Sequence, residues 1–385
     1  MTHRIRRAII RTLASAVCLI AATVTAAAQT PAPNPNPSAP NQAEATERAA
    51  NLSARLKARL PALGARLDQT STSGISSGAY MAGQFQLAHG DIVVGAAIIA
   101  GGPWGCAESA FAPFIFGPWG TALNFNRAAA GCMANLMAMF GVPSAGVAAN
   151  RARRMAKAGD IAALEATASD RVFLFAGTRD VIVRASIVRA ARRFYERIGV
   201  APDAIRFIGE ISAGHGFVTE TEGGLCGSSA TPFVVDCDYD LAGAMLMHIY
   251  PGLAPRGRRD QGRFIAFDQT AYTSDPSTAG LSAEGRVFVP DTCRTTPGCK
   301  VHIAFHGCQQ NRAAVGDLFI ARAGLAEWAV TNRMLVLFPQ TLASSGNPQG
   351  CWDWWGYTGR DFLTRRAPQI AAVRRMLDGL AQPAN

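Results

Sequence analysis

The sequence predicts an α/β fold with a mostly parallel sheet and helices on both faces, and three observations carry that prediction. Short apolar runs rich in β-branched and aromatic residues recur at Ile92–Ala100, Arg171–Gly177, Ala204–Ile208, Cys299–Phe305 and Met334–Pro339. Continuous rather than alternating hydrophobicity is what strands buried on both faces require. Helix-forming stretches separate several of them: Ala79–His89 is one, and the segment carrying Ile187, Phe194 and Ile198 on a single face is another. Asp180, His215 and Cys308 stand just after three of these strands, and Ser76 lies in a Gly/Ser turn ahead of the first. Carboxyl ends of strands are where sites form on open parallel sheets.

In chain order, Arg4, Arg6, Arg7 and Arg11 precede an apolar run from Leu13 to Ala27, and Ala26–Ala28 offers small residues for cleavage. That is an export signal, expected over 1–28; the run is shorter than the roughly 20 residues a membrane span needs. No membrane anchor is expected. Residues 29–50, rich in Pro, Ala and Asn, read as a disordered tether. Leu52, Leu56, Leu60 and Leu63 recur at near-helical spacing before Pro61 and Gly64 interrupt, so 51–66 is expected to be a short, marginal helix and lead-in. The remainder, 67–385, has no Gly/Ser-rich linker and is expected to be one catalytic domain. The formal net charge of +10 drops to about +6 without the four leader arginines. Scattered basic residues without a stripe of interleaved aromatics argue against nucleic acid as a partner.

Nine cysteines include Cys18 in the leader, leaving an even number in an exported chain, where disulfides are expected. Eight cysteines allow about 105 connectivities. Their order favours local pairs: Cys106 with Cys132, Cys226 with Cys237, Cys293 with Cys299, and Cys308 with Cys351. Each would stabilise the fold by roughly 2–4 kcal/mol. None shows the paired spacing of a zinc site.

The stretch Gly74-Ile75-Ser76-Ser77-Gly78 matches Gly-x-Ser-x-Gly, the strand-to-helix turn that holds the nucleophile of α/β hydrolases. Its small residues let the backbone pass close to itself. A helix and then a buried strand follow, the context such a turn needs. Asp180, after the strand at Arg171, suits the acid of a triad and is also placed to cap the helix that follows. His215 lies between two glycines, in what reads as a mobile, exposed turn suited to a base that swings between nucleophile and leaving group. Serine, acid and base then follow in the order these hydrolases use. Ser77, next to the nucleophile, supplies one backbone N–H for the oxyanion.

The second oxyanion donor normally follows an earlier strand in a His-Gly loop, but nothing before Ser76 fits. Far downstream, Cys299–Phe305 runs into His306-Gly307-Cys308, and Met334–Pro339 is the next strand. A circular permutation accounts for this, with the early strands moved to the end of the chain and Cys308 N–H returned to the site. At this point Gly74–Ala82, Ala100-Gly101-Gly102-Pro103, His306-Gly307-Cys308 and Gly350-Cys351-Trp352-Asp353-Trp354 together resemble the secreted poly(3-hydroxybutyrate) depolymerases of the single-domain, circularly permuted type. The resemblance runs from about Leu67 to the carboxyl terminus. It implies a disulfide-stabilised, circularly permuted α/β-hydrolase fold with Ser76, Asp180 and His215 as triad and Ser77 and Cys308 as oxyanion donors. Ala79 stands where the family often has glycine, and no separate polymer-binding domain follows the last helix, expected over Gln369–Leu380.

Trp354, Trp355 and Tyr357 crowd beside the oxyanion loop and are the expected substrate-binding residues; Trp104 and Phe111 are further aromatics that follow the strand after the nucleophile. Asp236, Asp238 and Asp240 begin like a calcium loop, but Leu241 and Met247 occupy its glycine and glutamate positions, so no metal is expected. Hydrolysis needs no cofactor. The expectation is a secreted, monomeric serine esterase acting on 3-hydroxyalkanoate polyesters, oligomers or short-chain esters. A feruloyl or acetyl esterase and a non-catalytic polyester- or wall-binding protein are the alternatives.

Overall fold

A computed structural model describes residues 58–111 and 118–384. The expected signal and tether, and residues 51–57 of the expected helix, lie outside them. The described residues form one compact unit.

Eight strands make the main sheet: β1 Thr70–Ile75, β2 Val93–Ile99, β3 Arg171–Phe175, β4 Ile205–Ile208, β8 Gly262–Asp268, β9 Glu284–Pro290, β10 Lys300–Phe305 and β11 Met334–Phe338. A small parallel sheet is made of β5 Phe217–Thr219, β6 Gly224–Leu225 and β7 Val234–Asp236. The order across the main sheet is β4-β3-β2-β1-β10-β11-β9-β8. Every pairing from β4 to β11 is parallel, and β9 and β8 add an antiparallel edge. The five strands expected from the sequence are all present. The edge pair β8 and β9 was not anticipated, because their charged and glycine positions break the apolar runs.

This order shows how the chain was permuted. β1 lies between β2, which follows it, and β10, whose Val301 pairs with Thr70 across 231 residues of sequence. The strand leading to the His-Gly loop therefore sits beside the strand leading to Ser76.

Helices cover both faces. α1 Ser77–Ala88, α2 Ala145–Lys157, α3 Ala185–Ile198, α4 Leu241–Ile249, α5 Leu325–Thr331 and α6 Pro368–Ala381 are the longer ones used below. Within β2, Gly95 faces Ile249 of α4, whereas Ile98 faces Gly83 of α1. Residues of opposite parity point to opposite faces of a strand, so α1 and α4 are on opposite sides.

The expected helix over 51–66 is not formed where it can be seen: residues 58–66 have no regular secondary structure, and Gly64 takes a left-handed φ of +57°. Their backbone is engaged elsewhere. The N–H groups of Leu63 and Ala65 donate to Leu380 O at 3.1 and 3.0 Å, and Gly64 N–H donates to Gln382 O at 2.8 Å. These bonds satisfy carbonyls orphaned at the end of α6, which a helical 58–66 could not reach. Leu60 and Leu63 are buried by this path rather than by helical packing. All four expected disulfides are present.

A very close contact joins the start of α1 to the end of β10. A β-carbon on Gly78 would stand 2.3 Å from Phe305 O and 2.4 Å from His306 O, both backbone atoms at the end of β10. Gly78→Ala should therefore lower unfolding free energy by at least ~2 kcal/mol, by forcing β10 away from α1. Thermal or urea unfolding checks this; a variant as stable as the parent would contradict the packing described.

Candidate active site

Ser76 follows β1 with φ +57° and ψ −122°, a conformation that non-glycine residues rarely hold. It is pinned by its neighbours: Ser76 N–H donates to Ile99 O at 3.0 Å, and its carbonyl accepts from Ala79 N–H and Tyr80 N–H. Both motif glycines are required by space, since a β-carbon at Gly74 would meet Gly78 O at 2.1 Å. Ser77 is the first residue of α1, where an N–H has no acceptor within the helix. Its hydroxyl accepts from Trp352 N–H at 3.3 Å, tying the turn to the Trp352–Tyr357 loop.

Asp180 and His215 form a buried pair, with His215 Nδ1 2.8 Å from Asp180 Oδ2. Since the carboxylate can only accept, Nδ1 carries the proton and Nε2 is left as the basic nitrogen. The other carboxylate oxygen accepts from Ile182 N–H and Val183 N–H at 2.8 and 2.9 Å. Asp180 therefore does not cap α3; Arg184 occupies that position without a side-chain bond. The turn after β3 is too long for Asp180 to reach the helix, and its carboxylate organises the turn itself.

The His215 turn also differs from expectation: it is buried and crowded rather than mobile and exposed. His215 N–H donates to Ser229 Oγ at 2.8 Å, and Gly214 N–H to Cys226 O at 2.8 Å. A β-carbon at Gly214 would meet Ser228 O at 2.3 Å, so this glycine permits close packing against the loop held by Cys226–Cys237.

The His-Gly loop lies directly against the serine turn. A β-carbon on Gly307 would be 3.4 Å from both Ser76 Cβ and Ile75 O. Cys308 is next, joined to Cys351. His306 is fully buried, and burial pushes its pKa down to about 4. Thr341 N–H donates to His306 Nε2 at 3.2 Å, so Nδ1 bears the proton and donates to Gly307 O at 2.7 Å. Beneath it, His302 is held by Ser71 Oγ at Nδ1 and Ser73 Oγ at Nε2, at 2.7 and 2.8 Å. Both histidines are neutral structural groups.

The three expected substrate aromatics are packed more tightly than a cleft lining would be. Trp354 is 5% exposed and stacks on Tyr80 at 4.0 Å; Trp355, equally buried, contacts Phe125 and Tyr357. Tyr357 uses its hydroxyl to donate to Cys351 O at 2.8 Å. The indole N–H of Trp354 has no hydrogen-bond partner. Trp104 is buried beside Phe194, whereas Phe111 is exposed.

Asp353, which the sequence reading quoted without giving it a role, is what shapes this loop. Its carboxylate accepts from the N–H groups of Trp355, Gly356, Tyr357 and Thr358 and from Thr358 Oγ1. An aspartate inside an aromatic run followed by Gly-Tyr-Thr is the signal that could have marked it.

A cavity of about 220 Å³ is lined by Glu220, Asp240, Arg256, Arg259, Arg322 and Glu327, among others, and by none of the residues above. Its charges are largely paired with one another. Among the described residues, no cluster of His, Cys, Asp or Glu is placed to hold a metal ion.

A mostly parallel sheet with a serine turn, a carboxylate-bound histidine and a His-Gly loop at its carboxyl edge defines an α/β hydrolase. Over 324 residues the chain is 34% identical to the poly(3-hydroxybutyrate) depolymerase of Delftia acidovorans, covering 83% of this chain and 61% of that protein. It is 28% identical over 332 residues to the polyhydroxybutyrate depolymerase of Talaromyces funiculosus, covering 82% of this chain and 90% of that one. The chain belongs to the poly(3-hydroxybutyrate) depolymerase family. Two solved structures agree: the depolymerase of Penicillium funiculosum, with TM-score 0.72, and a serine-to-alanine depolymerase variant complexed with an R3HB trimer, with TM-score 0.73. Each is 27% identical and covers 84% of this chain and 98% of the other. No protein-family model matches the chain.

Burial lowers the His302 pKa from the ordinary 6.5 to about 3. Between those values the unfolded chain binds a proton that the folded chain does not, so this contribution is complete above pH 6.5 and is lost as pH falls toward 3. His302→Gln should flatten the acid-side stability profile by up to ~1.4 kcal/mol per pH unit. Urea unfolding at several pH values measures it; an unchanged slope would contradict the neutral assignment.

Proposed function

We propose that this chain is an exported serine esterase that hydrolyses poly(3-hydroxybutyrate) or its oligomers through an acyl-enzyme. The observation that carries the reading is the buried His215–Asp180 pair, with its proton on Nδ1, on the same sheet edge as a strained serine turn packed against Gly307. Family membership supports the substrate class, and the chain spans about 61% of the length of the Delftia acidovorans relative.

In this mechanism Ser76 Oγ attacks the ester carbonyl while His215 Nε2 takes its proton. Asp180 holds the imidazole tautomer and stabilises the imidazolium. The oxyanion accepts from the N–H groups of Ser77 and Cys308, the second held in place by Cys308–Cys351. His215 returns the proton to the departing hydroxyl end. Water, activated by the same imidazole, then releases the acid from Ser76. No cofactor takes part.

Two features favour an apolar polymer over a small polar ester. Phe111, Trp119, Phe125, Leu136, Met139 and Phe140 are exposed in one stretch after β2. The edge contact of Phe125 with Trp355 connects that stretch to the aromatic loop. Export is supported by the four disulfides, which form in oxidising compartments. No described helix is long and apolar enough to cross a membrane.

Ser76→Ala should abolish release of 3-hydroxybutyrate from a trimer while leaving the thermal midpoint near that of the parent. Asp180→Asn should lower kcat by about 10⁴-fold. A Ser76→Ala protein that keeps its activity would sink the assignment, and preferential release of ferulate or acetate would move the substrate to another ester class.

A further inference from the structure

We infer that Gln310 is a positioning residue that locks the oxyanion loop to the base-bearing turn, so that donor and base keep one fixed geometry. This inference rests on the roles proposed above for Cys308 and His215.

Gln310 lies two residues beyond Cys308 and is 1% exposed. Its side chain is fully committed. Oε1 accepts from Gly307 N–H at 2.7 Å, on the residue that packs against Ser76 and precedes the proposed donor. Nε2 donates to Pro232 O and Phe233 O, both at 3.0 Å. Phe233 is in turn part of the base-bearing region: its carbonyl also accepts from Phe217 N–H at 2.7 Å, and its ring meets the edge of His215. Phe233 holds φ +55°, a conformation a bulky residue adopts only when its surroundings enforce it. The chain of contacts thus runs from Gly307 through one amide to the peptide beside His215.

Only a primary amide accepts one bond and donates two here. A carboxylate at this position would keep the Gly307 bond but face two carbonyl oxygens. An aliphatic side chain would leave an N–H and two carbonyls without this partner in a buried place. Either change frees the oxyanion loop to shift against the histidine. Catalytic geometry is sensitive to displacements of about 1 Å.

Gln269 supplies a matched comparison. It is fully buried, accepts from Gln340 N–H at 2.8 Å, and donates to Ser282 O and Gln340 O at 2.7 and 2.9 Å. It has the same bonding pattern but touches neither the Ser76 turn nor the His215 turn. Loss of either amide should weaken the fold alike; only loss of Gln310 should alter catalysis.

The test measures kcat and KM of folded, full-length protein on a soluble R3HB trimer, with inhibition by an alkyl boronic acid as mimic of the tetrahedral state. Gln310→Leu and Gln310→Glu should each lower kcat tenfold or more, leave KM within about threefold, and weaken boronate binding by a similar factor. Gln269→Leu should keep kcat within about threefold even if it unfolds at a lower temperature. Parental kcat and boronate affinity in Gln310→Leu, or equal loss of kcat in Gln269→Leu, would overturn the inference. Should Gln310→Leu fail to fold, Gln310→Glu decides on the same readouts. Ser76→Ala assayed alongside separates the outcomes: if it is inactive while the Gln310 variants match the parent, the bridge fails and the esterase reading stands.

Discussion

Between Gly78 and the carbonyl oxygens of Phe305 and His306 there is no room for a β-carbon, and much of the molecule is arranged to maintain that closeness. It brings the first turn of α1 against the end of β10, and so places Gly307 beside Ser76. Gly74 makes the same demand within the turn itself. Two segments more than two hundred residues apart in sequence become one local structure. The permuted strand order supplies this: β10 can flank β1 because the sheet requires adjacency in space, not in sequence.

Closeness of this kind has to be held against strain. Ser76, Phe233 and Gln309 are non-glycine residues with φ near +55°, and all three belong to the serine turn, the base-bearing region or the oxyanion loop. Such conformations cost of order 1–3 kcal/mol each and persist only where neighbours over-determine them. Here the neighbours are buried neutral groups. His306 bonds Thr341 and Gly307, and His302 bridges Ser71 and Ser73 between β1 and β10. Burial keeps both imidazoles uncharged, which lets hydrogen bonds stabilise the strand pair without a desolvated charge. The Cys308–Cys351 bond and the Asp353 carboxylate do the equivalent for the aromatic loop.

Features with a local cause were legible in the sequence. Continuous apolar runs revealed β2, β3, β4, β10 and β11, and order along the chain sufficed to pair the cysteines. The Gly-x-Ser-x-Gly turn and the displaced His-Gly loop pointed to one another because each lacks what the other carries. Features set by distant partners were not legible. Residues 58–66 have helical spacing, yet their N–H groups serve the end of α6. Asp180 looks like a helix cap, but the length of its turn directs one oxygen to local N–H groups and the other to His215. His215 between glycines suggested mobility, whereas those glycines admit neighbouring backbone. Gln310 carries no pattern at all, since its importance comes from three backbone groups in two other segments.

The central claim is that the permuted sheet returns a backbone donor from the far end of the chain to the serine. The most direct measurement is a crystal structure of the Ser76 adduct formed with an alkyl fluorophosphonate, whose phosphoryl oxygen marks the oxyanion position. The account predicts that oxygen about 3 Å from both Ser77 N and Cys308 N, with His215 Nε2 beside Ser76 Oγ. An adduct on another residue, or an oxygen bound by donors that exclude Cys308 N–H, would contradict it.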